Sequence, residues 1–428
     1  MPTPSGDVAH LLRRAGFGGT AAEIAALAPL DIRTIVDRVV EAPAPPVSRP
    51  AAFSATDREY ERWVIATHWW FDRMATSPAP LAEKLALFWH GHLCSAIDKV
   101  EKMSRMWDQH VLFRQKGFGP VDELVHAVAV DPAMLRYLDN DQNVVGSPNE
   151  NFARELMELF TLGVNEYTQE DVVAAARAWT GYGRDWQTGD FLYRPNRHDH
   201  GLKTFFGQTK AWTGPEIIDE ILHGKKKDTA ARFLVTKLWS FFAYPDPERA
   251  VVDALTRTFQ TSGLSTKAVV KAIFLRPEFY STKAKRGLVR SPIEYMVAAM
   301  KGTGLSASVA HPEWFCRGMG QVPFSPPNVS GWRPNAYWIS ASAQWSKIGF
   351  ANYLRWKVND TPLLQNLREQ SPEASVQTVL RQFGVDNAGP QTKAALLRYV
   401  QRERATDRWA ERPNLLFLVM MCPEMQLA

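Results

Sequence analysis

Cysteine is scarce in this chain: three residues, Cys94, Cys316 and Cys422, among 428. They are odd in number and far apart, and they form no Cys-x-x-Cys pair. That excludes a disulfide framework and a thiolate metal knuckle. No apolar run approaches the ~18 residues a membrane-spanning helix needs, so no span is expected. A Gly-rich phosphate loop, His-Glu-x-x-His and a Gly-x-Ser-x-Gly elbow are all missing, which leaves no nucleotide cofactor motif and no ready-made catalytic signature. Excess charge of one sign is missing too, with 50 Lys+Arg against 45 Asp+Glu. The basic clusters, Lys225-Lys226-Lys227 and Lys283 to Arg290, are short and form no stripe, so nucleic acid is not an expected partner. The opening residues, Met1 to Asp7, have neither a basic n-region nor an apolar h-region. As written the chain is expected in the cytoplasm, and a trimmed leader would make it an exported protein.

What is present is an ordinary globular composition, 45% hydrophobic and 22% charged. A chain of this length can bury about three quarters of its unfolded surface. Its dominant period is helical, as in the i, i+4, i+7, i+11 stripe Leu81, Leu85, Phe88, His92. Similar patterns run over 30–41, 56–76, 98–114, 119–129, 214–222, 229–242, 247–260, 265–274, 291–302, 340–357, 374–383, 391–410 and 413–421. Thr168 with Asp171 has the spacing of a capping box ahead of Val172 to Trp179. Three stretches lack the period: the Pro-rich segment 42–50, the segment 181–211, which suits a short β-hairpin, and 318–338, rich in Pro, Asn, Gly and Trp. The expectation is an all-α, multi-helical fold with long loops that carry function. It divides into an N-terminal helical extension (1–42), a Pro-rich linker (43–50) and a main helical domain (51–428), one domain overall.

The densest stretch is Pro148-Asn149-Glu150-Asn151-Phe152-Ala153-Arg154-Glu155-Leu156-Met157-Glu158-Leu159-Phe160-Thr161-Leu162-Gly163. Its carboxylates are mixed with too many apolar residues for an exposed helix, so some should be partly buried, and a buried carboxylate needs a partner. Four further segments stand out: Phe88-Trp89-His90-Gly91-His92, Asp131-Pro132-Ala133-Met134-Leu135-Arg136-Tyr137-Leu138-Asp139-Asn140, His198-Asp199, and Pro326-Pro327-Asn328-Val329-Ser330-Gly331-Trp332. Together these motifs resemble the domain-of-unknown-function 1800 family, from Leu11-Leu12-Arg13-Arg14-Ala15-Gly16-Phe17-Gly18 to Pro423-Glu424-Met425-Gln426-Leu427. The resemblance implies no settled biochemistry. It does draw attention to His198, Asp199, Gly201 and Lys203. It also implies a possible partner from a second family of unknown function, numbered 1501 and similar to sulfatases and alkaline phosphatases.

Three candidate sites follow. The loop Asp139 to Glu150 places Asp139, Asp141, Asn143, Ser147 and Glu150 at EF-hand calcium spacing. Val144 stands where such a loop needs Gly, and Pro148 where the exiting helix would begin. The same residues suit an Asx-rich turn in which Asn149 or Ser147 caps the next helix. The second site gathers histidines and carboxylates. His90 and His92 are candidate metal ligands: in an extended segment they share a face and could chelate one ion, whereas in a helix i and i+2 point apart and they read as hydrogen-bonded core histidines. The segment His198-Asp199-His200 reads as loop, able to bind a transition metal or do acid–base work, or to form an ion-paired turn with Arg197 and Lys203. Within 150–162, Glu150–Arg154 and Arg154–Glu158 are i,i+4 pairs. Glu155 has no such partner and is a candidate for a raised pKa, a metal bond, or a bridge to Arg114 or Arg177. The third site is the aromatic and amide loop with Asn328, Trp332 and Trp338, in a chain with 15 Trp. It suits a sugar or aromatic ligand, or plain packing.

Three functions are compatible with this inventory. One is a metal-dependent enzyme, with calcium or a transition metal as the divalent ion and Glu155, His198, Asp199 and Lys203 as its chemical groups. Another is a non-enzymatic accessory protein of a sulfatase-like partner. The last is a saccharide-active protein that uses paired carboxylates across a cleft.

Overall fold

The helical period becomes helix almost everywhere it was expected. A computed structural model describes residues 1–358, 362–367, 369–385, 387–406 and 411–428. Among them are 25 α-helices and two short antiparallel strand pairs. The stretch expected at 391–410 is the helix Pro390–Ala405, and its last residues lie outside the described set. Segment 181–211 holds two hairpins where one was expected. Tyr182–Arg184 pairs with Phe191–Tyr193, and Lys203–Phe205 with Gln208–Lys210. Capping chemistry sets several helix starts. Thr168 and Asp171 form the expected reciprocal box, and Thr20 with Glu23, Thr213 with Glu216 and Ser291 with Glu294 do the same. Each box satisfies two backbone N–H groups that the first turn leaves without partners. No helix among the described residues is long and apolar enough to cross a membrane.

The chain forms two compact units. The first comprises Met1–Lys84, Phe274–Pro323 and Arg333–Ala428. In it the helix Pro292–Thr303 packs on Glu59–Thr76, and Ala341–Lys357 packs on both Glu313–Met319 and Glu411–Met421. Its core includes Trp70, Phe71, Ile293, Tyr295, Phe350 and Leu354. The buried Lys84 ammonium pairs with Glu294 and donates to the Gly16 carbonyl at 2.9 Å. A charge that deep is tolerable only when paired and hydrogen-bonded. Segment 42–50 has no helix or strand. Proline carbonyls have no neighbouring proline N–H to bind, and Arg73 fills the gap by donating to the carbonyls of Pro45 and Pro46.

The second unit comprises Leu85–Ile273 and Phe324–Trp332. Its helices include Met103–Lys116, Val121–Ala129, Gln169–Ala178, Gly214–Leu222 and Lys227–Phe242. The charged stretch at 148–163 departs from a regular helix. Asn151–Glu155 is α-helical, Leu156–Thr161 widens to a π-helix, and Gly163 ends it at φ 95°. Thr161 Oγ1 donates to the Leu156 carbonyl, five residues back, in step with that wider turn. The widening shifts side-chain register, so only one of the two expected i,i+4 pairs forms. Arg154 meets Glu150 at 2.8 Å, while Glu158 accepts the Tyr167 hydroxyl instead.

Candidate metal centre

Most residues singled out in the sequence turn out to have protein partners in the second unit. In the 139–150 loop, Asp139 pairs with Lys99 at 2.6 Å and buried Asp141 with Arg184 at 2.6 Å. The Asn143 side chain binds Asn140, the Ala176 carbonyl and the Asn149 amide; Asn149 Oδ1 accepts the Asn151 N–H at 2.9 Å, but the N-cap position is Glu150, which makes no side-chain cap, so the expected Asn149 or Ser147 cap does not form. Most of these oxygens are aimed at cations and amides of the chain itself rather than at one point; Asp141 Oδ1 is buried without a hydrogen-bond partner.

The motif histidines serve the backbone. His90 Nε2 accepts the Phe324 N–H at 3.0 Å, and His92 Nε2 donates to the Phe160 carbonyl at 3.0 Å. Burial, with Arg114 adding to it, lowers the His90 pKa to about 3; burial and then Lys237 lower that of His92 to about 4. Gly91 lies against Gly331, where a Cβ would come within 2.2 Å of the Gly91 carbonyl oxygen. The Trp332 ring meets His90 edge-on at 5.4 Å. Asn328 forms an Asx turn with Ser330, and Trp338, in the first unit, is buried. The remaining motif is a knot. His198 Nδ1 donates to the Thr180 carbonyl, Asp199 pairs with Arg177 at 2.7 Å, and Lys203 Nζ donates to the carbonyls of Asp199, Gly201 and Trp212. Burial lowers the Lys203 pKa, with Asp199 opposing it.

Glu155 differs from these. It is half-buried, and no hydrogen bond or ion pair reaches its carboxylate among the described residues; Arg177 is taken by Asp199. Burial, then Glu158, raise its pKa against the pull of Arg154.

A second cluster lies in the first unit, outside every motif noted in the sequence. His68, His311 and Glu313 each offer one ligand atom, all within 4.8 Å of one another, and no other trio of His, Cys, Asp or Glu does so among the described residues. Local structure explains the convergence. His68 and Asp72 stand one turn apart on the helix Glu59–Thr76. Asp72 Oδ1 accepts the Ala307 N–H at 2.6 Å, anchoring the short helix Ala307–Ala310. His311 caps that helix in the left-handed region, φ 47°, a conformation His adopts more readily than most residues. After Pro312, Glu313 opens the helix Glu313–Met319. The turn aims His311 and Glu313 back at His68.

Glu313 Oε2 lies 2.6 Å from His68 Nε2, and Oε1 lies 3.0 Å from His311 Nδ1. Burial works to raise the Glu313 pKa, but hydrogen bonds from His68 and His311 hold it below the usual carboxylate range. The carboxylate is buried, while both imidazoles keep partial solvent access. Exposed Trp314 stacks on His311 with ring centroids 4.0 Å apart and an interplanar angle of 2°, and Tyr353 meets Trp314 edge-on. A tetrahedral ion at ~2.0–2.1 Å from its ligands keeps them roughly 3.3 Å apart. The His68 and His311 nitrogens lie 2.6 and 3.0 Å from the two Glu313 oxygens, near that spacing, and an imidazole that binds an ion carries its proton on the other ring nitrogen. Two imidazoles and one carboxylate suit zinc or a neighbouring transition metal better than calcium. A sequence signal did exist: the His-Pro-Glu-Trp run at 311–314, and one His on the 56–76 helix. Nothing in spacing alone joins positions so far apart.

A family model described as a protein of unknown function (DUF1800) matches residues 10–427, and the chain belongs to that family. No match was found among curated proteins or among solved structures.

Proposed function

We propose that this chain is a metal-dependent enzyme whose ion is held by His68, His311 and Glu313. The observation that carries the reading is the convergence of three ligand atoms within 4.8 Å, two from partly exposed imidazoles and one from a buried carboxylate. Three protein ligands with solvent access leave a coordination position open, as catalytic rather than structural zinc sites do. An ion there would polarise a substrate oxygen or lower the pKa of a bound water. Cobalt(II) titration of the chelator-treated protein tests this. Visible d–d bands saturating at one equivalent in the wild type, and absent in His311→Ala, are expected. Bands of equal strength in the variant would rule out this ligand set.

A second reading, an accessory protein for a sulfatase-like partner, draws support from the helix Ala341–Lys357. Trp345, Ile348 and Trp356 lie along one face of it and are exposed by 76, 39 and 41%. Large apolar side chains gathered on one exposed helix face support a reading of that face as a docking surface. Trp345→Ala should then abolish co-purification with such a partner while leaving metal content unchanged; unaltered co-purification would count against it.

A further inference from the structure

The first unit contains a cavity of about 330 Å³ lined by Pro45, Trp69, Asp72, Arg73, Thr76, Ser77 and Pro78. That volume suits a small organic ligand. Its charged lining groups are not equivalent. Arg73 is committed, with Nε on Glu83 at 2.5 Å, further N–H groups on the carbonyls of Pro45 and Pro46, and its guanidinium 5.3 Å from the Trp69 ring centroid. It shapes a wall and has little left to offer an anion. Asp72 is the opposite case. Oδ1 takes the Ala307 N–H, whereas Oδ2 has no hydrogen-bond partner and no cation within ion-pair distance among the described residues. The neighbouring polar groups are already used: Thr76 donates to the Asp72 carbonyl and Ser77 accepts the Ala79 N–H.

Asp72 Oδ2 keeps solvent access, and no cation of the described residues neutralises it, so it is open to a cationic ligand. Burial raises the Asp72 pKa, against the pull of the Ala307 N–H and His68. The walls beside it, Pro45, Pro78 and the Trp69 edge, are apolar. A ligand that satisfies both features has a protonated amine at one end and a compact apolar or aromatic body at the other.

We infer that this cavity binds a small primary amine, its ammonium group on Asp72 Oδ2 and its apolar body against Pro45, Trp69 and Pro78. The inference stands on the cavity and on Asp72, and does not require an ion at the neighbouring histidines.

Calorimetric titration of the full-length protein with 2-phenylethylamine, 2-phenylethanol and 3-phenylpropanoate separates charge from shape. Saturable binding of the amine is expected, with the alcohol at least ~10-fold weaker and the carboxylate not binding. Asp72→Asn keeps an oxygen for the Ala307 N–H and should erase the preference for amine over alcohol. Thr76→Trp fills the cavity from an exposed position and should abolish binding without touching the carboxylate. Each titration is repeated after chelator treatment, with metal content measured on the same samples. Amine binding that survives chelation supports the inference whether or not metal was present, so its fate is separable from that of the metal centre. Equal binding of amine and alcohol would overturn it. So would undiminished amine binding by either variant, no amine binding, or binding that disappears with the metal.

Discussion

Replacing His90 by Gln should make the protein markedly more resistant to acid. His90 is buried, and its Nε2 accepts the Phe324 amide N–H, so protonation would set one donor against another. Burial, then the Arg114 charge, lower its pKa from 6.5 to about 3. In the unfolded chain the ring protonates near 6.5; in the folded chain it stays neutral down to about 3. Between those values the unfolded state binds more protons, so stability falls as pH falls. The loss is ~1.4 kcal/mol per pH unit, or roughly 5 kcal/mol over the full window. At pH 4.5 the loss from His90 alone is roughly 3 kcal/mol, a large share of the ~5–15 kcal/mol that holds a typical protein folded. The Gln Oε1 can take the place of Nε2 as acceptor, and it does not titrate. His10 and His92, whose pKa values fall to about 2 and about 4, act in the same direction but are common to both proteins and cancel. Urea unfolding followed by circular dichroism at pH 7 and pH 4.5 measures the difference. Wild type should lose roughly 3 kcal/mol more than His90→Gln between the two pH values. Equal losses in the two proteins would refute a neutral, buried His90.

Two further substitutions probe the frame. Gly331→Ala places a Cβ within 2.2 Å of the Gly91 oxygen at a position with φ 74°. It should cost about 2–4 kcal/mol in thermal or urea unfolding; a loss near zero would mean the Gly331 loop does not meet the end of the helix Pro80–His92 there. Lys347 is buried, donates to Gln426 at 2.9 Å, and has its pKa lowered to about 8 by burial and then by Arg290. The unfolded chain therefore binds the extra proton between about 8 and 10.5, and wild-type stability should rise with pH across that window. Lys347→Met should remove this rise and add about 1–3 kcal/mol at pH 7; a destabilised variant would contradict the reasoning.

The fold was largely readable from the sequence because its cause is local. Apolar periodicity over 56–76 or 229–242 and capping pairs such as Thr168 with Asp171 act within a few residues of themselves, and the helices appear where those patterns lie. The π-widening at Leu156–Thr161 was not readable, since a helical wheel assumes a constant 3.6-residue turn. The site was much less readable, for two reasons. Residues that look chemical, such as His90, Asp199 and Lys203, have their polar atoms on backbone groups or on cations of the chain. Their partners come from other segments, which spacing does not disclose. Conversely, His68 and Glu313 are separated by 245 positions. They meet because Asp72 pins the Ala307 amide and a left-handed turn at His311 reverses the chain. That turn falls on a non-glycine residue, where sequence rules look for none.

The central claim is a single transition-metal site made by His68, His311 and Glu313. Elemental analysis of the purified protein tests it most directly, comparing wild type with His68→Ala and Glu313→Gln after equilibration with zinc and removal of free ion. Close to one zinc per wild-type chain is expected, and a small fraction of that in either variant, with all three proteins folded. A wild-type chain that retains no metal, or variants that retain as much as wild type, would contradict it.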